Sequence, residues 1–177
     1  MRNRILIGGA SLSGKTSLAA KLSEELGWEV VATDYLARHP GRPWRVDGSE
    51  VPWHVVDHFL SLSPAELLAD VLRHYRSLTH RIRDLVTGDR KGIIVEGSAV
   101  LPEFAFELQS EAQCCFLIAK QGVLTNRIIH QAGAGNDAAM KFAARAELMN
   151  GFIADEAIRL GLPTFDSDSV STDAILS

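Results

Sequence analysis

Apolar residues along the chain alternate between short unbroken runs and helically spaced stretches. Arg4-Ile5-Leu6-Ile7, ended by Gly8-Gly9, reads as a buried strand. Lys15 to Leu26 then carries apolar residues at Leu18, Ala19, Leu22 and Leu26, with Gly27 placed as a C-cap. A second apolar run, Trp28 to Thr33, is closed by Asp34. Residues 35 to 53 hold Pro40, Pro43 and Pro52 and predict an ordered loop. Ser63-Pro64-Ala65-Glu66 marks a helix start with a capping box. A 3.6 period through Leu67, Val71, Leu72, Tyr75, Leu78, Ile82 and Leu85 predicts one helix up to Gly88.

Ile93-Ile94-Val95 is a third strand, ending at Glu96-Gly97, and Cys114 to Ala119 a fourth. Gln121 to His130 reads as a helix, broken at Gly133, Gly135 and Asn136. A long helix over Ala138 to Leu160 stops at Gly161, and Pro163-Thr164-Phe165 is a short fifth strand. Apolar strands that do not alternate, separated by helices, predict a parallel sheet covered on both faces. The expected fold class is therefore α/β, a three-layer α/β/α domain with a five-stranded parallel sheet, occupying residues 1–177 as one unit.

Composition narrows the function less than the pattern does. With 18 Lys plus Arg against 22 Asp plus Glu, the net charge of -4 argues against binding nucleic acid by phosphate neutralisation. No apolar stretch reaches the roughly 18 residues of a membrane span, and Met1 to Ala10 lacks a signal-peptide pattern. Cys114 and Cys115 are adjacent and read as two buried strand residues, not a disulfide. A cytoplasmic protein, monomer or homodimer, with neither nucleic-acid nor membrane partner, is the expectation.

The order of residues says more. Gly9-Ala10-Ser11-Leu12-Ser13-Gly14-Lys15-Thr16 matches G-x-x-x-x-G-K-[ST], directly after a strand and directly before a helix. Glycines let the backbone curl so that its N–H groups converge on an anion, and the helix start adds a positive end. In such a loop the lysine, Lys15, reaches the β- and γ-phosphates and the hydroxyl of Thr16 ligates Mg²⁺. Ser17 follows at the helix start. ATP and Mg²⁺ are thus the expected cofactors.

The chain has no N-K-x-D guanine motif and no L-S-G-G-Q. Its D-x-x-G match, Asp89-Arg90-Lys91-Gly92, precedes a strand and reads as a turn. The opening loop and helix, Gly8 to Ala19, together with the length, five strands and acidic Asp34, resemble the nucleoside-monophosphate-kinase-like group of small-molecule kinases. That group includes adenylate, shikimate and gluconate kinases, uridine-kinase-like enzymes, 2-phosphoglycerate kinase and chloramphenicol phosphotransferase. The resemblance is motif-specific over the first 34 residues and architectural over the rest.

It implies a Mg²⁺-ATP-dependent phosphotransferase with a small-molecule phosphate acceptor bearing a hydroxyl or phosphate. Asp34, at the carboxyl end of strand 2, would bind the acceptor hydroxyl and act as base. Glu96 resembles a Walker B acid for the metal or acceptor, where the group has Asp or no acid, and Gly97 could admit substrate. A short helical lid over residues 127–145 would bring Arg127 as a catalytic cation and Arg145 as a substrate contact, with Lys141 beside them. Residue 131 is Gln, so the R-x-x-x-R of such lids is missing. The loop Arg38-His39-Pro40-Gly41-Arg42-Pro43-Trp44-Arg45 would cover the acceptor, with Arg42 and Arg45 contacting it; a loop anchored by Trp44 is the plainer reading. Arg81 and Arg83 read as solvated residues near the cleft, and Asp166-Ser167-Asp168 falls where the group contacts adenine.

Two other functions compete. One is a nucleotide-binding regulatory or accessory ATPase with no acceptor. The other is a metal-dependent hydrolase built on His54 and His58, which share a face if helical but have no third ligand in the sequence.

Overall fold

The computed structural model describes residues 3–36, 40–47, 49–89 and 92–177. Arg38, His39, Arg90 and Lys91 lie outside the described residues. Five strands, β1 (Arg4–Gly9), β2 (Glu29–Ala32), β3 (Ile93–Glu96), β4 (Gln113–Ile118) and β5 (Thr164–Asp166), form one sheet in the order β2-β3-β1-β4-β5. Every pairing is parallel, so the carboxyl ends of all five strands open on one edge. β1 lies between β3 and β4, which sets the loop after it at the middle of that edge.

The apolar runs fill both faces because successive side chains point to opposite sides. Ile5, Ile7, Ile94, Cys115 and Leu117 pack with Leu18, Ala19 and Leu22 of α1 (Lys15–Leu26) and with Ile175 of α8 (Thr172–Leu176). Leu6, Ile93, Val95, Cys114 and Phe116 face the other, larger core. That core is completed by α2 (Trp53–Ser61), α3 (Pro64–Ser77), α4 (Thr79–Thr87), α5 (Pro102–Glu107), α6 (Val123–Ala132) and α7 (Asp137–Arg159). Cys114 and Cys115 thus point to opposite faces and both are free. Burial pushes the Cys115 thiol well up from its usual range.

The expected helix from Ser63 to Gly88 is two helices. The capping box forms as predicted: the Ser63 backbone N–H donates to Glu66 Oε2 at 2.8 Å, and Ser63 Oγ accepts from the Glu66 N–H. The break comes at Leu78, whose N–H turns to the Tyr75 carbonyl. The Ser77 hydroxyl donates to the His74 carbonyl and the Thr79 hydroxyl to the Arg76 carbonyl, so two side chains compete for the ladder at one point. Leu78 itself stays buried, which preserves the apolar period across the break. α7 begins where Asn136 accepts a hydrogen bond from the Ala139 N–H, one residue before the predicted start. α2, α5 and α8 are short elements of nine, six and five residues that the strand and helix pattern read from the sequence did not include. Among the described residues no helix is long and apolar enough to cross a membrane.

Candidate active site

The loop between β1 and α1 is shaped by close approaches. A Cβ on Gly8 would lie 2.3 Å from the Phe116 ring, and one on Gly9 2.6 Å from Ser13 Oγ. Gly14 caps α1 in the left-handed region, φ 92°. Leu12 adopts φ 64°, a conformation that costs a side-chain-bearing residue about 1–2 kcal/mol. Arg127 Nη1 donates to the Leu12 carbonyl at 2.8 Å and helps hold it there.

Lys15 is buried, and its Nζ donates to the Ala10 carbonyl at 2.7 Å. Burial lowers its pKa to about 8, against the pull of Glu96 and Asp34, while Arg42 pushes it the same way as burial. The Thr16 hydroxyl donates to Glu96 Oε1 at 3.0 Å. Glu96 is 4% exposed at the end of β3, and burial raises its pKa although Lys15 and Thr16 oppose this. Gly97 beside it lines the cleft, but its missing side chain answers to the fold: a Cβ would lie 1.8 Å from Thr33 Oγ1.

Two cavities meet at Lys15 and Thr16. The first, about 390 Å³, is walled by Asp34, Arg42, Arg45, Tyr75, Glu96 and Arg145, with Gly97 and Ser98. Asp34 sits on a 3₁₀ turn, Thr33–Tyr35, directly after β2. The second, about 550 Å³, lies along Gly14, Thr16, Ser17, Lys21, Arg127 and Asp168. Leu12, Lys15, Thr16 and Arg42 border both.

The sequence-expected residues therefore separate into two groups. Asp34, Arg42, Arg45, Glu96, Gly97 and Arg145 share the first cavity. Arg127, Ser17, Ser167 and Asp168 share the second, where Arg127 also pairs with Asp168. Residues 127–145, the expected lid, run from α6 through the turn at 133–136 into α7, and their two arginines part ways across the loop. Lys141 leaves the site altogether and donates to the Leu62 carbonyl at 3.1 Å. Arg81 reaches the Leu36 carbonyl and Arg83 the Glu107 carboxylate; neither borders either of these two cavities. The loop carrying Arg42 and Arg45 is anchored by Trp44, which is buried edge-on against Phe142 at 5.0 Å between centroids. His54 and His58 do lie on a helix, but no group of three or more His, Cys, Asp or Glu could hold a metal among the described residues.

Tyr75, Ser98 and Phe142 also border the first cavity and were not foreseen. Tyr75 and Phe142 sit at apolar helix positions and carry no separate signal. Ser98 follows Glu96-Gly97 and could have been included with them.

No protein-family model matches the chain. Three solved structures superpose over nearly all of it. Shikimate kinase from Bacteroides thetaiotaomicron covers 98% of this chain and 91% of its own, at TM-score 0.51 and 18% identity. A gluconokinase from Sinorhizobium meliloti covers 99% and 87%, at 0.53 and 16%. Deoxyadenosine kinase from M. mycoides, solved with bound dATP, covers 98% and 95%, at 0.52 and 14%. The fold is that of the P-loop small-molecule kinases. At these identities the P-loop kinase fold is what the superpositions establish. Curated sequence relatives are tRNA dimethylallyltransferases. That of Citrifermentans bemidjiense is 33% identical over 103 residues, 54% of this chain, and that of Syntrophus aciditrophicus 35% over 66 residues, 32% of it. The chain spans 32% and 22% of the length of those relatives.

Proposed function

We propose that this chain is a Mg²⁺-ATP-dependent phosphotransferase acting on a small hydroxyl- or phosphate-bearing metabolite. The observation that carries the reading is the pair of cavities that meet at Lys15 and Thr16. Phosphoryl transfer needs two reactants held in line on either side of one phosphate-binding lysine. A regulatory ATPase needs only the second cavity, and nothing in its chemistry calls for Asp34, Tyr75 and Arg145 around the first.

The residues present fit the two cofactors. The loop from Gly9 to Thr16 forms a cradle that a Cβ at Gly9 would fill, and Ser13 Oγ is buried in it with no hydrogen-bond partner among the described residues. Thr16 and Glu96, already joined at 3.0 Å, would hold Mg²⁺, which when bound would neutralise phosphate charge. Lys15 binds the phosphates once its bond to the Ala10 carbonyl opens. Asp34 makes no hydrogen bond among the described residues and lines the first cavity. It can orient the acceptor hydroxyl and take its proton as the oxygen attacks. Arg42, bordering both cavities, spreads cationic charge over the transferring group.

The sequence relatives support a second reading, a transferase acting on tRNA. The net charge of -4 weighs against it. The deciding experiment is a coupled Mg²⁺-ATP assay across a metabolite panel, with a tRNA arm. Asp34→Asn should lower transfer by about 10²-fold or more, and leave ATP affinity within about threefold. Unchanged transfer in that variant ends the role given to Asp34.

A further inference from the structure

In the phosphotransferase reading the transferring group sits where the two cavities meet, so the cations that matter are those bordering both. Among the described residues these are Lys15 and Arg42. The other expected cations are committed elsewhere. Arg127 borders only the second of the two, and its guanidinium is divided between the Leu12 carbonyl and the Asp168 carboxylate. Lys141 is bonded to the Leu62 carbonyl. Arg45 and Arg145 border only the first.

Arg42 is an exposed side chain with many rotamers to lose. The chain's own residues narrow them. Its Nη1 donates to Gln131 Oε1 at 3.4 Å, and its guanidinium lies 5.8 Å from the Trp44 centroid. Trp44 is buried edge-on against Phe142, so its ring is a fixed plate. Arg45 braces the loop backbone by donating to the Arg42 carbonyl at 3.1 Å and the Trp44 carbonyl at 3.2 Å. Gln131 reaches in from α6, so the contact joins the loop after β2 to the helix after β4. A neutral amide oxygen suits this role. It accepts one N–H bond and orients the guanidinium without cancelling its charge, as a carboxylate would. The remaining N–H donors of Arg42 stay available for phosphate oxygens. The charge of Arg42 already reaches Lys15, whose ammonium it opposes.

We infer that Gln131 is a positioning residue that aims Arg42 at the transferring phosphoryl group, so that this cation comes from the acceptor-side loop and not from the lid helix. The inference deepens the phosphotransferase reading and rests on it for the group transferred. As the acceptor oxygen bonds to the γ-phosphorus, the bond from phosphorus to the ADP oxygen breaks and the acceptor's proton passes to Asp34. Negative charge spreads over the equatorial oxygens between the cavities, where Arg42 and Lys15 meet it.

The test needs no acceptor. Calorimetry on the full chain would compare Mg²⁺-ADP with Mg²⁺-ADP plus aluminium fluoride, which stands in for the group being transferred. The parent should bind the second probe about 30-fold or more tightly than the first. Arg42→Gln should remove about tenfold or more of that excess, with ADP affinity kept within about threefold. Gln131→Ala should remove about fivefold in the parent and less than about twofold in the background of Arg42→Gln, because it acts through Arg42. Both positions are exposed, and melting curves establish that the variants fold. No excess in the parent, an excess that survives Arg42→Gln, or a Gln131→Ala loss of equal size in both backgrounds overturns the inference. Should the cycle behave as described while no metabolite in the panel gains phosphate, the kinase reading falls instead, and Arg42 and Gln131 act on transfer to water.

Discussion

Gly97→Ala tests how Asp34 is held. The added Cβ would lie 1.8 Å from Thr33 Oγ1, 2.9 Å from Thr33 Cβ and 3.2 Å from Thr33 Cγ2. Carbon atoms settle about 3.5–4.0 Å from their neighbours, so something must move by more than 1 Å. Thr33 is 1% exposed, and the open space beside it is the first cavity, so a displaced Thr33 moves into the site itself. Overpacking of this kind costs about 1–3 kcal/mol, and the glycine's φ of 151° adds about 1–2 kcal/mol for a side-chain-bearing residue. The sum is about 2–5 kcal/mol. At about 2–4 °C per kcal/mol for a chain this size, the midpoint of thermal unfolding falls by roughly 4–20 °C.

The function should suffer in a particular way. Asp34 follows Thr33 on the same 3₁₀ turn, so a displaced Thr33 moves the acceptor side and leaves the loop from Gly9 to Thr16 in place. A shift near 1 Å can cost about 10²-fold in turnover, whereas ATP affinity should stay within about threefold. Thr33→Ala removes the two contacts at 1.8 and 3.2 Å, and the lost hydroxyl has no hydrogen-bond partner among the described residues. In the background of Thr33→Ala, Gly97→Ala should be milder by about 1–2 kcal/mol in urea unfolding. A single variant within 0.5 kcal/mol of the parent (~0.5 kcal/mol being the scatter of neutral surface changes), or a double variant that recovers nothing, would refute the reasoning.

Three further outcomes follow from the site. Lys15 has a folded pKa lowered to about 8 from 10.5, so its buried charge penalises the nucleotide-free fold by on the order of 3 kcal/mol below pH 8, and the penalty fades as pH rises from 8 to 10.5. ATP restores the ammonium's partner, so binding above pH 8 should take up a proton, read by calorimetry in buffers of different ionisation heat. Glu96 has its pKa raised by burial, so its carboxylate penalises the fold above the ordinary carboxylate range, and stability should rise as pH falls through the folded pKa; Glu96→Gln should flatten that slope and weaken Mg²⁺ binding about 10–100-fold in a metal titration. Arg127→Gln loses its bonds to the Leu12 carbonyl and Asp168, so nucleotide affinity should fall about tenfold by calorimetry while KM for the acceptor holds.

The core strands and the phosphate loop were legible because their signals are local. Ile5, Leu6 and Ile7 are apolar in succession because both sheet faces are covered, and the loop must place two glycines and a lysine within eight residues. The break at Leu78 was not legible: the apolar period continues across it, and only the hydroxyls of Ser77 and Thr79 interrupt the ladder. The first cavity was legible only in part. Asp34 and Glu96 end strands and could be placed by that fact, but Arg45, Tyr75 and Arg145 come from a loop and two helices far apart in the chain.

Arg145 and Lys141 show why spacing alone does not sort such residues. They are four apart on α7, and spacing alone places both beside Arg127 in the lid. The helix face that buries Phe142 against Trp44 and Phe59 also carries Arg145 inward over the Phe59 and Phe142 rings. Lys141, next to Phe142 in sequence, is turned toward the α2–α3 connection and donates to the Leu62 carbonyl. The sorting is done by aromatic packing between three segments, so it belongs to the tertiary structure. It also turns the net charge of -4 into a local question: three arginines border a cavity of about 390 Å³ in an acidic chain. Charge focused between low-dielectric walls acts more strongly than the same charge spread in water. Any ligand taken into this cavity would meet the cavity's charge before the chain's.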